Sequence, residues 1–193
     1  VYVNPGRTRL ADLEAAEGTI ARARGVVVDL RNSVAPRNRQ VLARWFGDLG
    51  HPRIPTQIRP GVIAYETSEP GPRAGSLTPG GPIVVLINWS TQGDEEGIAD
   101  ALRHHHGAVL VGTTTSGWAG ESLGQVQLPA GFTVGWVDRD FAFVSGAPGL
   151  APIEPDIVAR PTRESLAAGR DAVLERGIEV ITRPVAWALR GPA

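Results

Sequence analysis

The chain has 193 residues, 42% of them hydrophobic, enough for one domain with a substantial core and short for two. Its 19 basic and 20 acidic residues leave a formal net charge of -1, too little long-range field to favour nucleic acid or an anionic membrane surface as a partner. No apolar run approaches the roughly 20 residues of a membrane-spanning helix, and the absence of cysteine removes disulfides, thiolate catalysis and cysteine metal sites.

All 19 basic residues are arginine, so no lysine can serve as a general base or form a Schiff base. Methionine is also absent, and the chain opens on the strand-like Val1-Tyr2-Val3. We therefore expect a fragment or processed piece that lacks an N-terminal region, with one domain over residues 1–193.

The first apolar, β-branched runs, at 1–3 and 25–30, predict strands, and Leu10, Leu13, Ala16 and Ile20 between them have helical spacing. Pro36 suits the first position of a helix whose stripe is Val41, Leu42, Trp45, Phe46 and Leu49, ending at Gly50. Residues 51–80 are rich in proline and glycine and read as connecting loop around one strand at 62–65. The fully apolar run 83–87 suits a buried parallel strand, followed by a turn at 88–91 and a helix carrying Ile98, Ala101 and Leu102. A strand at 108–111 comes next. Alternating segments at 124–128, 132–137 and 140–144 read as a small antiparallel excursion, and a helix over 166–174 follows Thr162 as N-cap. Strands alternating with helices predict a layered α/β fold.

Four segments carry a resemblance. Gly25-Val26-Val27-Val28-Asp29-Leu30-Arg31 is a strand ending in Asp-Leu-Arg. Residues 82–88 lead into Thr91-Gln92-Gly93-Asp94-Glu95-Glu96 at the start of a helix. Val111-Gly112-Thr113-Thr114-Thr115-Ser116-Gly117 forms a loop after a strand. Ile153-Glu154-Pro155-Asp156 is followed by Gly169-Arg170-Asp171. In this order and spacing the chain resembles the catalytic domain of the carboxyl-terminal processing, or tail-specific, serine proteases. That family's relatives include the tricorn core and the retinoid-binding modules of the eye. The resemblance implies a ClpP/crotonase-like layered α/β fold and a secreted or cell-envelope location.

The family's pattern Thr-x-Ser-x-x-Glu puts the nucleophilic serine where this chain has Gly93. The lysine that follows the Thr-x-Gly loop is matched by Trp118. The tricorn-like branch has a histidine near the first strand, where this chain reads Val3-Asn4-Pro5. A second oxyanion donor comes from a glycine pair after Asp-Leu-Arg, matched here by Asn32-Ser33-Val34-Ala35-Pro36, and Pro36 has no N–H. Asp94, Glu95 and Glu96 place three carboxylates on the first helical turn, where they favour the helix dipole and oppose a nearby oxyanion.

Other polar residues have plainer readings. Ser90 and Ser116 flank Gly93, and serines in such positions usually form turns or caps. His104, His105 and His106 are consecutive on a helix, so they point about 100° apart and cannot converge on one metal ion; they suit the negative end of the dipole. No metal site and no cofactor are expected.

The leading expectation is a protease-fold domain that has lost Ser-Lys chemistry. It would bind an apolar small molecule or peptide terminus in the former cleft, which Trp89, Trp118, Ala35 and Asn4 border. Two alternatives stay open. The cleft could serve a different chemistry, with Asp94 or Glu96 moving protons, or the chain could be a tail-specific endopeptidase whose serine at 93 was replaced. Trp89 and Trp118 also admit a purely space-filling role.

Overall fold

The computed structural model describes residues 1–47, 54–59, 62–66, 75, 77, 79–118, 121–139 and 143–183; within 54–59, 62–66, 121–124 and 136–139 it describes the backbone alone. The chain order is β1 (Tyr2–Val3), α1 (Leu10–Ala15), α2 (Glu17–Ala21), β2 (Val26–Asp29), α3 (Pro36–Phe46), β3 (Ile54–Arg59), β4 (Val62–Glu66), β5 (Ile83–Ile87), α4 (Asp94–His106) and β6 (Val109–Gly112). The antiparallel pair β7 (Glu121–Gln127) and β8 (Thr133–Arg139) follows, then β9 (Ile157–Val158), α5 (Arg163–Ala167) and α6 (Ala172–Thr182).

Five strands form one parallel sheet in the order β1-β2-β5-β6-β9. Its central strands are buried on both faces, which is why 83–87 reads as a continuous apolar run rather than an alternating one. On one face Val26, Val28, Val85, Ile87 and Leu110 pack with Leu13, Ile20, Leu42, Trp45 and Leu102 from the helices α1 to α4. On the other, Val27, Val84, Leu86, Val109 and Val111 meet Val173 and Val180 of α6. The predicted layered α/β architecture, with a parallel sheet and a small antiparallel excursion, is the one observed.

The β5–β6 pairing needs a glycine at its end. Gly112 has φ 142°, and a Cβ there would lie 1.9 Å from the carbonyl oxygen of Ile87. Only a residue without a side chain lets the strand end approach its neighbour this closely.

Several boundaries differ from the sequence reading. The segment 10–20 is two short helices, because the Ala16 amide bonds to Leu13 rather than continuing the α-pattern. Helix α3 stops at Phe46, with Gly47 at φ 84°, and the predicted ending at Leu49 and Gly50 lies outside the described residues. In the stretch read as loop, the strand expected at 62–65 is β4, and an unexpected strand, β3, pairs antiparallel with it. Of the predicted strand at 140–144, Phe143 and Val144 are not in a strand, and 140–142 lie outside the described residues. One helix was expected over 166–174, and two are present. Thr162 caps α5, accepting from the Ser165 amide at 3.1 Å. Asp171 then caps α6 by accepting from the Val173 and Leu174 amides.

Candidate functional site

Three parallel strands end at the same edge of the sheet, so the segments that follow β2, β5 and β6 meet there. In open α/β sheets this carboxyl edge is where loops assemble a site. The segment after β5 turns sharply. The Thr91 side chain is fully buried, takes the Asn88 amide at 3.0 Å and donates to the Leu30 carbonyl at 3.0 Å, pinning the turn to the end of β2. The turn delivers Gly93 to the N-terminus of α4 with φ 62° and ψ -124°, a conformation that L side chains rarely adopt.

Gly93 is locked to the loop after β6. Its amide donates to the Trp118 carbonyl at 3.0 Å and to Oε2 of Glu96 at 3.1 Å. Glu96 is fully buried and gathers three further donors: the Thr115 hydroxyl, the Gly117 amide at 2.8 Å and the Trp118 amide at 3.0 Å. The Thr115 hydroxyl also accepts from the Ile153 amide at 2.8 Å, which brings in the segment before β9.

Glu95, also buried, reaches the other way, and its Oε1 accepts from the Val34 amide at 2.7 Å. Asp94 is exposed and pairs with Arg39 of α3. The three adjacent carboxylates therefore do more than favour a helix dipole. Two of them are buried anchors that tie α4 to the loops on either side.

Around this centre the side-chain space at Gly93 is open. Among the described residues outside its own chain neighbours, a Cβ built there would have one neighbour within 4 Å, the backbone oxygen of Trp118 at 3.9 Å, so neither the Trp89 nor the Trp118 indole fills the position. Trp118 is 60% exposed and Trp89, four residues before Gly93 on the same turn, is 75% exposed.

Peptidase family S41 matches residues 7–159 of this sequence, most of the chain. The chain belongs to peptidase family S41. No curated protein matches it. Among solved structures, a candidate peptidase from Parabacteroides merdae is 19% identical at a TM-score of 0.69, over 93% of this chain and 60% of its own. The tricorn protease is 15% identical at 0.62, over 94% of this chain and 17% of its own. A photosystem II D1 C-terminal processing protease is 21% identical at 0.50, over 83% and 42% respectively. At these identities the likeness shows the fold, and this chain spans less than two thirds of each of those proteins.

In this S41 domain the residues singled out from sequence fall into two groups. Gly93, Asp94, Glu96, Trp118 and the loop holding Ala35 converge on the start of α4, as the motif order implied. Ala35 is exposed at the N-cap of α3, where its carbonyl takes the Asn38 and Arg39 amides. Asn4 is buried at the end of β1, in the segment that packs against residues 32 and 33. It is 8% exposed, its amide group donates to the Tyr2 hydroxyl at 3.1 Å and to Asp29 at 3.4 Å, and its oxygen accepts from the Arg7 amide. With both ends of its side chain engaged, Asn4 braces β1 against β2.

Sequence reasoning missed the partner of the Asp-Leu-Arg motif. Arg31 forms paired hydrogen bonds with Asp29 at 2.9 and 2.7 Å and with Asp171 at 3.0 and 2.6 Å. Burial opposes the Arg31 charge, but the two carboxylates outweigh it and raise the guanidinium pKa above its ordinary value. Arg31 in turn holds Asp171 below the usual carboxylate range. Both acids were quoted as family motif residues, and only their separation in sequence hid that one arginine joins them.

His104, His105 and His106 lie at the far end of α4, up to about 20 Å along the helix from Gly93. His106 bonds through Nε2 to the Phe46 carbonyl at 2.7 Å, and the rings of His104 and His105 contact each other edge to face.

Proposed function

We propose that this S41 domain no longer performs Ser-Lys peptide hydrolysis and binds an apolar small molecule or a peptide end at the former active-site turn. Gly93 carries the reading. It keeps a strained strand-turn-helix geometry that would present a nucleophile, with its side-chain space open, yet it has no heteroatom to attack with. Its amide, the group an oxyanion would call on, is shared between Trp118 and Glu96. Across the turn the Val34 amide is taken by Glu95, and Pro36 has none to offer. No lysine exists anywhere in the chain to act as base.

The binding half of the proposal rests on Trp89 and Trp118. Both are exposed on segments that meet at Gly93, a position that no described side chain fills, and burying 100 Å² of such apolar surface is worth about 2.5 kcal/mol before association costs. Tryptophan fluorescence titration against a panel of apolar compounds and short peptides tests this. A compound should bind with micromolar affinity, and Trp118→Ala should weaken it. Binding that ignores Trp118→Ala, or a panel without any binder, overturns the reading. Incubation with unstructured polypeptides tests the other half. Cleavage that survives repurification and disappears in a variant at the Gly93 turn would restore peptidase activity.

A second reading, a tail-specific endopeptidase whose serine was replaced, is favoured by one observation: a Cβ fits at Gly93 without a clash. Gly93→Ser separates the two. We expect it to stay unlabelled by a fluorophosphonate probe, because a serine without a placed base is a weak nucleophile. Rapid stoichiometric labelling would establish the second reading.

A further inference from the structure

The backbone donors around Gly93 are already engaged. At the start of α4 the Gly93 amide goes to Trp118 and Glu96, the Glu95 amide to the Gln92 carbonyl at 3.2 Å, and the Glu96 and Gly97 amides to the Gly93 carbonyl at 3.1 and 3.3 Å. In the loop after β6 the Ser116 amide goes to the Thr91 carbonyl at 3.2 Å, and those of Gly117 and Trp118 go to Glu96. Across the turn the Val34 amide is held by Glu95, and the Asn38 and Arg39 amides by the Ala35 carbonyl. An incoming anion is ordinarily received by free N–H groups at a helix start, and these groups have acceptors of their own.

Charge points the same way. Among the described residues Glu95 and Glu96 accept only from amides and one hydroxyl, and neither meets a cation. Neutral donors stabilise a carboxylate without cancelling its charge. Of the arginines on the segments that meet here, Arg39 pairs with Asp94, and Arg31 is held between Asp29 and Asp171. Arg37 lies two positions from Arg39 on α3, and side chains two apart on a helix do not face the same way. The α4 dipole returns about half a positive charge. Three carboxylates at the turn thus face one arginine and half a dipole charge, and the local potential is negative.

We infer that the site takes an ammonium group carried beside an apolar one, as at the amino end of a peptide that begins with an apolar residue, and turns away a carboxyl end. The inference rests on the reading above that this turn binds a ligand. The groups that remain to receive it are of the matching kind. The exposed indoles of Trp89 and Trp118 attract cations to their π faces as well as apolar groups, and the Asp94 side chain is 66% exposed. A carboxyl end would meet the same negative potential with none of the named amides to hold it.

Three peptides without tryptophan test this by fluorescence titration of the chain: Phe-Ala-Ala-Ala amide with a free amino end, its acetylated form, and acetyl-Ala-Ala-Ala-Phe with a free carboxyl end. The free-amine peptide should bind at least about tenfold tighter than either of the others, equivalent to about 1.4 kcal/mol. Asp94→Asn removes the exposed carboxylate and leaves Arg39 without an ion partner, so in that variant the ratio should fall at least about threefold. Circular dichroism confirms that the variant folds. Phenethylamine carries the ammonium and the ring without a peptide: weaker binding than the free-amine peptide supports a peptide end, and equal binding assigns the site to a small amine and overturns the peptide. Equal affinity for the free-amine and acetylated peptides, tighter binding of the free-carboxyl one, or an unchanged ratio in Asp94→Asn overturns the inference and leaves the binding site standing. A chain that binds none of the three also overturns it, and the reading beneath falls too only if the panel of apolar compounds finds no binder.

Discussion

Trp118 and Glu96 meet through the backbone, the Trp118 amide donating to the Glu96 carboxylate at 3.0 Å while the Trp118 carbonyl takes the amide of Gly93 at the same distance. Glu96 is thus the hub on which the turn after β5 and the loop after β6 are hung. Its two oxygens face two donors each, Thr115 and Gly117 on one, Gly93 and Trp118 on the other. Glu96→Gln keeps the shape and removes one acceptor. Whichever way the amide is turned, its NH2 group confronts at least one backbone N–H inside the protein. The expected loss is about 2–4 kcal/mol in urea denaturation. A loss under about 1 kcal/mol would show that the hub is not what holds the loops.

Strain at Gly93 can be separated from crowding. The position has open space but a positive φ, so Gly93→Ala should cost about 1–3 kcal/mol from backbone conformation alone. Gly97, four residues on, lies inside α4 with equally open space and no positive φ. Gly97→Ala should therefore stabilise the domain by about 0.5–1 kcal/mol. Thermal melts of the two variants should move in opposite directions, and movement in the same direction refutes the assignment of strain.

At Gly112 the expectation is of another kind. A methyl group there would sit 1.9 Å from the Ile87 oxygen, so β5 and β6 must part to admit it. Gly112→Ala should lose more than about 3 kcal/mol or fail to fold. Soluble expression with a parental melting temperature would contradict the described register.

The Asp171 carboxyl titrates lower in the folded chain than in the unfolded one, because Arg31 hydrogen-bonds to it. A depressed carboxylate pKa contributes stability that is complete above the unfolded value, about 4, and is lost as pH falls through the folded value. Stability should therefore decline on acidification below about pH 4. Asp171→Asn retains a capping oxygen for α6 and loses the charge, so its acid-side slope should be shallower than the parent's. Asp171→Ala also loses the cap, worth about 1 kcal/mol at all pH values. Equal acid slopes in parent and Asp171→Asn would remove Asp171 from the pH dependence.

The layered fold could be read from sequence because its central strands announce themselves: 26–29, 83–87 and 109–112 are β-branched and buried on both sides. Strand β3 was hidden by Pro55 and Pro60, which read as loop chemistry although β3 lies in a two-stranded sheet, where proline is tolerated at an edge. At the site, motif order put Gly93, Trp118 and Ala35 in one region, and backbone contacts join the segments that hold them. It could not show that Glu95 and Glu96 turn inward, because a first-turn acid has the same residue type whether it faces solvent or a backbone amide. Asn4 is a related case. Its position beside β1 was right, and the engagement of its side chain with Asp29 and Tyr2 depends on a parallel pairing that spacing alone does not specify.

The contact between Arg31 and Asp171 joins residues 140 positions apart. During synthesis at about 5–20 residues per second, Arg31 emerges about 7–28 s before its second carboxylate exists. Until α6 follows and docks, the face of the sheet made by Val27, Val84, Leu86, Val109 and Val111 lacks its cover. Nascent and truncated chains that stop short of α6 thus carry an apolar sheet face into solvent, which makes α6 the helix that decides whether the domain folds or aggregates.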